Sequence, residues 1–110
     1  MREKVIENKI KDCLASRGNK IWFFKHAASA SMKKGIPDII CCICGVFVGI
    51  EVKQANGTQS DEQKVVERNI REAGGEYWLV FSFEEFVDKF NNFVRRIKNE
   101  RTQRNRKIDG

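Results

Sequence analysis

Between Glu3 and Arg17 the apolar positions Val5, Ile6, Ile10, Cys13 and Leu14 fall on one face of a helix, and Gly18-Asn19 supplies its stop. The period then shortens: "KIWFFK" predicts an aromatic strand, while "HAASASMKKG" has nothing to bury and predicts a mobile loop. Pro37 has no N–H for a ladder and suits the start of the strand "DIICCIC", which is apolar on both faces and is predicted to be central. Gly45 permits a tight reversal into "VFVGIEVK", making a hairpin. "QANGTQS" carries the Asn56-Gly57 turn signal, and Ser60 with Gln63 has the spacing of a capping box. A second helix is predicted from about Asp61 to Ala73, ended by Gly74-Gly75. "EYWLVF" predicts a fourth strand, and Ser82 with Glu85 predicts the start of a helix carrying Phe86, Phe90, Phe93, Val94 and Ile97. That helix could present Phe83, Phe86, Phe90 and Phe93 to a dimer partner, but the ordinary core face is the preferred reading. The order α-β-β-β-α-β-α contains one β-α-β unit, so the sheet should be mixed and flanked by helices. "NERTQRNRKIDG" is predicted to be a frayed helix end and a solvated tail.

A chain of 110 residues holds one core rather than two, and no repeat or linker divides it. Lysine and arginine number 21 against 15 acids, giving a net charge of +6. An anionic partner is therefore favoured, with nucleic acid ahead of an acidic membrane surface. "MREKVIENKIKDCL" is charged throughout and does not read as a signal peptide. The uncharged run from Ile39 to Ile50 is shorter than the roughly 20 residues of a spanning helix, so a soluble, cytoplasmic protein is expected. Cys13, Cys41, Cys42 and Cys44 are poorly spaced for disulfides and read as reduced, small core residues. "CCICG" could be half of a zinc knuckle, but a second ligand pair is missing and a strand turns Cys41 and Cys44 to opposite faces.

Chemistry concentrates in "KKGIPDIICCICGVFVGIEVKQ", Lys33 to Gln54, where ionisable groups stand only at the rims of the apolar run. Glu51 and Lys53 alternate around Val52 and emerge on one strand face. The reversal at Gly45 brings Asp38 opposite the neighbourhood of Glu51. Two carboxylates and an ammonium then converge at one sheet edge, with the apolar segment as a rigid mount. Close carboxylates repel unless a hard divalent cation such as magnesium or manganese lies between them. Such an ion can bind a phosphate, acidify a water and stabilise a developing oxyanion, while Lys53 positions the attacking group or neutralises charge. An exposed cross-strand ion pair is the bland alternative. Lys25, Lys33 and Lys34 flank the predicted loop beside this edge and suit DNA phosphates. Arg95, Arg96, Lys98, Arg101, Arg104, Arg106 and Lys107 could form a basic arm, or merely a solvated surface. His26 has no visible partner, and the chemistry does not require it.

Order and spacing together narrow the reading. The pattern G-x-P-D, twelve residues, then E-x-K resembles the PD-(D/E)xK nuclease superfamily, whose restriction-endonuclease-like core has the order α-β-β-β-α-β. Within it, "KKGIPDII", "IEVKQANGTQSDEQ" and "EAGGEYWLVFS" resemble the virus-type replication-repair nuclease (VRR-NUC) domains, and the likeness spans Glu3 to Phe86. The resemblance implies that Asp38 and Glu51 are metal-binding acids, that the Val52 carbonyl is a further candidate ligand and that Lys53 is the catalytic lysine. It also implies that Gln63 stands near that lysine, besides its capping role. Glu7, with Glu3 as competitor, takes the first-helix acid position and would reach the ion through a water.

The expectation is an α/β nuclease domain over residues 1–94 with a basic tail at 95–110. It would be a magnesium- or manganese-dependent endonuclease acting on branched DNA such as a flap or Holliday junction in repair. A dimer would match the two-fold symmetry of a junction. A non-catalytic DNA-binding module and an RNA-processing nuclease are the alternatives. Origin in a phage or prophage is implied by the resemblance alone.

Overall fold

The computed structural model describes residues 2–27 and 33–109, with side chains through residue 104. Residues 28–32 of the predicted mobile loop, and the side chains of Arg106 and Lys107, lie outside the described residues. The elements are α1 (Glu3–Ala15), β1 (Ile21–Lys25), β2 (Ile39–Ile43), β3 (Val46–Val52), α2 (Asp61–Glu72), β4 (Glu76–Val80) and α3 (Phe83–Asp109). They follow the predicted order. The four strands form one sheet in the order β1-β2-β3-β4, antiparallel between β1, β2 and β3 and parallel between β3 and β4.

Two local devices set this topology. Cys44 and Gly45 have φ of 52° and 84°, the paired left-handed conformation of a two-residue hairpin turn whose twist matches that of its strands. The turn pairs Ile43 with Val46 and Ile39 with Ile50, which sets Asp38 beside the Glu51 end of β3. The second device is the β3-α2-β4 crossover. Its helix starts at a complete capping box, in which Ser60 Oγ accepts from Gln63 N–H and Gln63 Oε1 accepts from Ser60 N–H.

The core lies on one sheet face. Ile39, Cys41, Ile43, Val48, Ile50, Val52, Trp78 and Val80 meet Ile6, Ile10 and Leu14 of α1 and Phe86, Phe90 and Phe93 of α3. The aromatic face of α3 is thus core, not a free dimer surface. Trp78 sits edge-on to all three phenylalanines, with ring centroids 5.6–6.5 Å apart. On the opposite face α2 packs near β4 and β3, leaving Trp22, Phe24 and Phe47 exposed. Cys42 is also exposed there, contrary to the expectation of a buried thiol, because its strand parity turns it away from the core. Cys41 is buried, and burial pushes its thiol up to about 12.

The last helix is longer than expected. The boundary at residues 94 and 95 falls inside α3, and the expected frayed tail continues as helix to Asp109. Arg, Lys, Glu and Gln are good helix formers, so the helix outlasts its apolar stripe. Arg101 also donates a 2.8 Å hydrogen bond to the Cys44 carbonyl, tying the helix to the hairpin turn.

Candidate functional site

The open end of the β2–β3 hairpin faces the N-terminus of α2 and the end of β1. A cavity of about 370 Å³ lies there, lined by Lys25, His26, Lys33, Lys34, Asp38, Glu51 and Gln63, among others. Glu51 follows Ile50 on β3 and alternates onto the sheet face opposite the core; it is only 3% exposed. Asp38 precedes β2, where Pro37 sets the entry and the Asp38 carbonyl accepts from His26 N–H at 2.7 Å. Its carboxylate is held across the hairpin, because Val52 N–H donates to Asp38 Oδ2 at 2.8 Å.

Gln63 keeps its capping role, and its amide meets Glu51 rather than the expected lysine. Its Oε1 completes the capping box, and its Nε2 donates to Glu51 Oε2 at 2.8 Å. Among the described residues, Glu51 Oε1 is left buried without a hydrogen-bond partner. Burial pushes the Glu51 carboxyl up to about 8, the Asp38 charge adds to the rise, and the Lys53 charge opposes it. Asp38 is also raised, mainly by burial, against the Val52 N–H and the Lys25 charge. Two ionised carboxylates are acceptors only, so each can satisfy the other only through a shared proton or a cation.

Of the two candidate first-helix acids, Glu7 is the one that faces this end of the sheet. It is 8% exposed, and its Oε1 lies 2.8 Å from Lys25 Nζ, which stands 3.8 Å from Asp38 Oδ1. Glu3 is half-buried and acts on Glu51 only as a minor charge. Lys25, expected as a DNA contact, links the two acids. Strand periodicity puts Lys25 at the end of β1 but cannot reveal that link, which depends on the β1–β2 register. Lys33 and Lys34 line the cavity as well.

Lys53 is placed differently from the other acids and bases. It does not line the cavity, but its backbone N–H donates to the Val80 carbonyl at 3.0 Å, and its charge reaches Glu51. A strand residue presents its N–H and C=O to the same edge, so the Val52 carbonyl is directed to the Asp38 side. The available oxygens are thus those of Asp38, Glu51 and Val52, a hard donor set of the kind magnesium and manganese accept when water completes the shell. The orphaned Glu51 oxygen fits such an ion. Among the described residues no cluster of three or more His, Cys, Asp or Glu side chains forms a closed metal cage.

Glycine shapes the cavity wall at one position. Gly35 has φ of +87°, and a Cβ there would stand 2.6 Å from the Glu62 carbonyl carbon and oxygen. The loop carrying Lys33 and Lys34 is therefore pressed against the first turn of α2, beside Gln63.

No protein-family model matches the chain, and no curated protein is similar to it. Solved structures are. One described as "VRR_NUC domain" is 24% identical with a TM-score of 0.66, covering 82% of this chain and 94% of the other. Another, described as "VRR_NUC domain protein", is 15% identical with a TM-score of 0.70, covering 86% of this chain and 89% of the other. With its element order, its mixed four-stranded sheet and its carboxylates gathered at the hairpin rim, the chain has the fold of the VRR_NUC domain structures.

Proposed function

We propose that the protein is a nuclease of the VRR-NUC type that hydrolyses phosphodiester bonds in DNA with the help of magnesium or manganese. The observation that carries this reading is the buried Glu51 oxygen, without a partner among the described residues, beside a second carboxylate in a cavity rimmed by lysines. Asp38 and Glu51 would hold the cation, with the Val52 carbonyl as a third oxygen. When bound, it would supply positive charge to the scissile phosphate and to the attacking water.

The chain's own groups do the rest. Gln63 fixes the Glu51 rotamer by holding Oε2, which leaves Oε1 for the site. The Val52 N–H fixes Asp38 in the same way. Glu7 and Lys25 form a short ionic chain behind Asp38 that keeps its carboxylate turned into the cavity. Lys33 and Lys34 grip the phosphate backbone of the entering strand. The Lys53 charge, which reaches Glu51 although Lys53 does not line the cavity, would help to neutralise the phosphoryl oxygens as a water oxygen bonds to phosphorus and the bond to the leaving oxygen breaks. The water's proton passes to solvent, and the leaving oxygen takes up a proton from solvent.

A small domain has little surface for reading a long base sequence, so selection by DNA structure, at a flap or junction, fits it best. No helix of the described residues is long and apolar enough to cross a membrane. The test is a panel of junction, 5′ flap, 3′ flap, duplex and RNA substrates, with and without chelator. Asp38→Asn and Lys53→Ala should each lower cleavage at least about 100-fold while leaving substrate binding within a few-fold. Cleavage that survives both substitutions would refute the assignment, and cleavage confined to RNA would move the substrate class.

A further inference from the structure

β1 is an edge strand whose outer face is not covered by any helix among the described residues. Trp22 is 63% exposed and Phe24 is 42% exposed, and their rings pack with centroids 5.4 Å apart. Alternation puts both on one face, about 7 Å apart along the strand. Beside Trp22 a groove of about 560 Å³ is lined by Lys20, Cys42, Gly45 and Arg101, among others. Arg101 is exposed, and its hydrogen bond to the Cys44 carbonyl holds its guanidinium at this groove. The other end of β1 delivers Lys25 and His26 to the candidate catalytic cavity. One strand therefore joins a basic groove, two exposed aromatic rings and the acid pair in a line.

We propose that this face of β1 is a track for an unpaired nucleic-acid strand, with bases stacking on Trp22 and Phe24 and phosphates held by Lys20 and Arg101. Exposed aromatics between cations are the arrangement by which proteins hold single strands without reading sequence, whereas stacked bases in a duplex offer no free ring face. The charge is complementary, and the track is continuous with the cavity. A second copy of the chain on the same face would bring two bodies of net charge +6 together. The inference rests on the nuclease reading for its direction: the strand held on β1 would be the single-stranded arm of the substrate, leading to the bond at Asp38 and Glu51.

The chain has two tryptophans, and Trp78 is 5% exposed within the core, so fluorescence change on binding reports chiefly on Trp22. In chelator, so that nothing is cut, titration with oligothymidylate should quench this emission, and a hairpin duplex should not. By anisotropy of labelled oligonucleotide, Trp22→Leu should weaken single-strand binding roughly 5- to 100-fold and change duplex binding less than about twofold. Trp22→Phe, which keeps a ring, should retain most of the affinity, and circular dichroism should show both variants folded. Equal losses on single strand and duplex, or no loss on either, would overturn the track. So would a dimer, seen by sedimentation, that Trp22→Leu converts to monomer, because the face would then belong to a second copy. If no cation supports hydrolysis while the Trp22 dependence stands, the nuclease reading fails and the track survives; cleavage of flaps unaffected by Trp22→Leu, with unchanged binding, sinks the track alone.

Discussion

Glu51 carries an oxygen buried without a partner among the described residues, and a charged oxygen in that state is destabilising until a proton or cation reaches it. With its carboxyl raised from 4.5 to about 8, the folded chain holds a proton there that the unfolded chain releases. The sign follows from that difference: the contribution to stability is full below pH 4.5 and is lost as pH rises through about 8. The metal-free protein should melt at a lower temperature at pH 8.5 than at pH 6, with a slope from this group of at most about 1.4 kcal/mol per pH unit. Glu51→Gln should flatten the dependence, and manganese at pH 8.5 should raise the melting temperature of wild type only. A wild-type curve that runs parallel to that of Glu51→Gln would count against the buried carboxyl. Gln63 allows a second test. Gln63→Ala removes a capping contact and the Glu51 tether together and should lower stability by about 0.5–2 kcal/mol. Gln63→Glu can still accept from Ser60 N–H, but it places a third carboxylate against Glu51. It should therefore lower cleavage more than Gln63→Ala at a comparable melting temperature.

At the scale of elements, the hairpin, the crossover helix and the loop beside it define the cavity. Gly35 is the position where a single methyl group tests that packing. Gly35→Ala meets both a left-handed φ and the Glu62 carbonyl at 2.6 Å, so denaturant unfolding should show a loss of at least about 1–3 kcal/mol. Gly45→Ala is left-handed too but meets nothing within 4 Å, and it should lose less. Element types and order were legible in the sequence because each segment carries its own period and its own stop, such as Gly18, Gly45 and Gly74. The placement of Asp38 near Glu51 was legible for the same reason, since a two-residue turn at Gly45 leaves little freedom in register. The left-handed conformation of Cys44, the Val52 N–H on Asp38 and the Lys25 link between Glu7 and Asp38 were not. Each depends on a pairing register or a helix rotation that periodicity does not encode. The length of α3 was underestimated because its apolar stripe stops while its helix-forming composition does not. The exposed face of Cys42 was missed because an apolar run on both strand faces does not say how far a covering helix extends.

For the molecule as a whole, on the nuclease reading, charge governs encounter with DNA. Net charge is +6, and Lys33 and Lys34 stand at the cavity mouth. Replacing both by alanine should weaken binding to all DNA sequences alike and reduce the slope of log affinity against log salt by roughly 2. A filter-binding series from 50 to 200 mM salt, about the range over which such slopes are read, would check it; an unchanged slope would place the phosphates elsewhere. Glu51 belongs to the hairpin and Gln63 to the crossover helix, yet one side-chain amide serves both. On the nuclease reading, a nascent chain whose crossover has not closed has no properly seated acid pair. A newly synthesised copy would then stay chemically silent toward the DNA around it until its fold is complete.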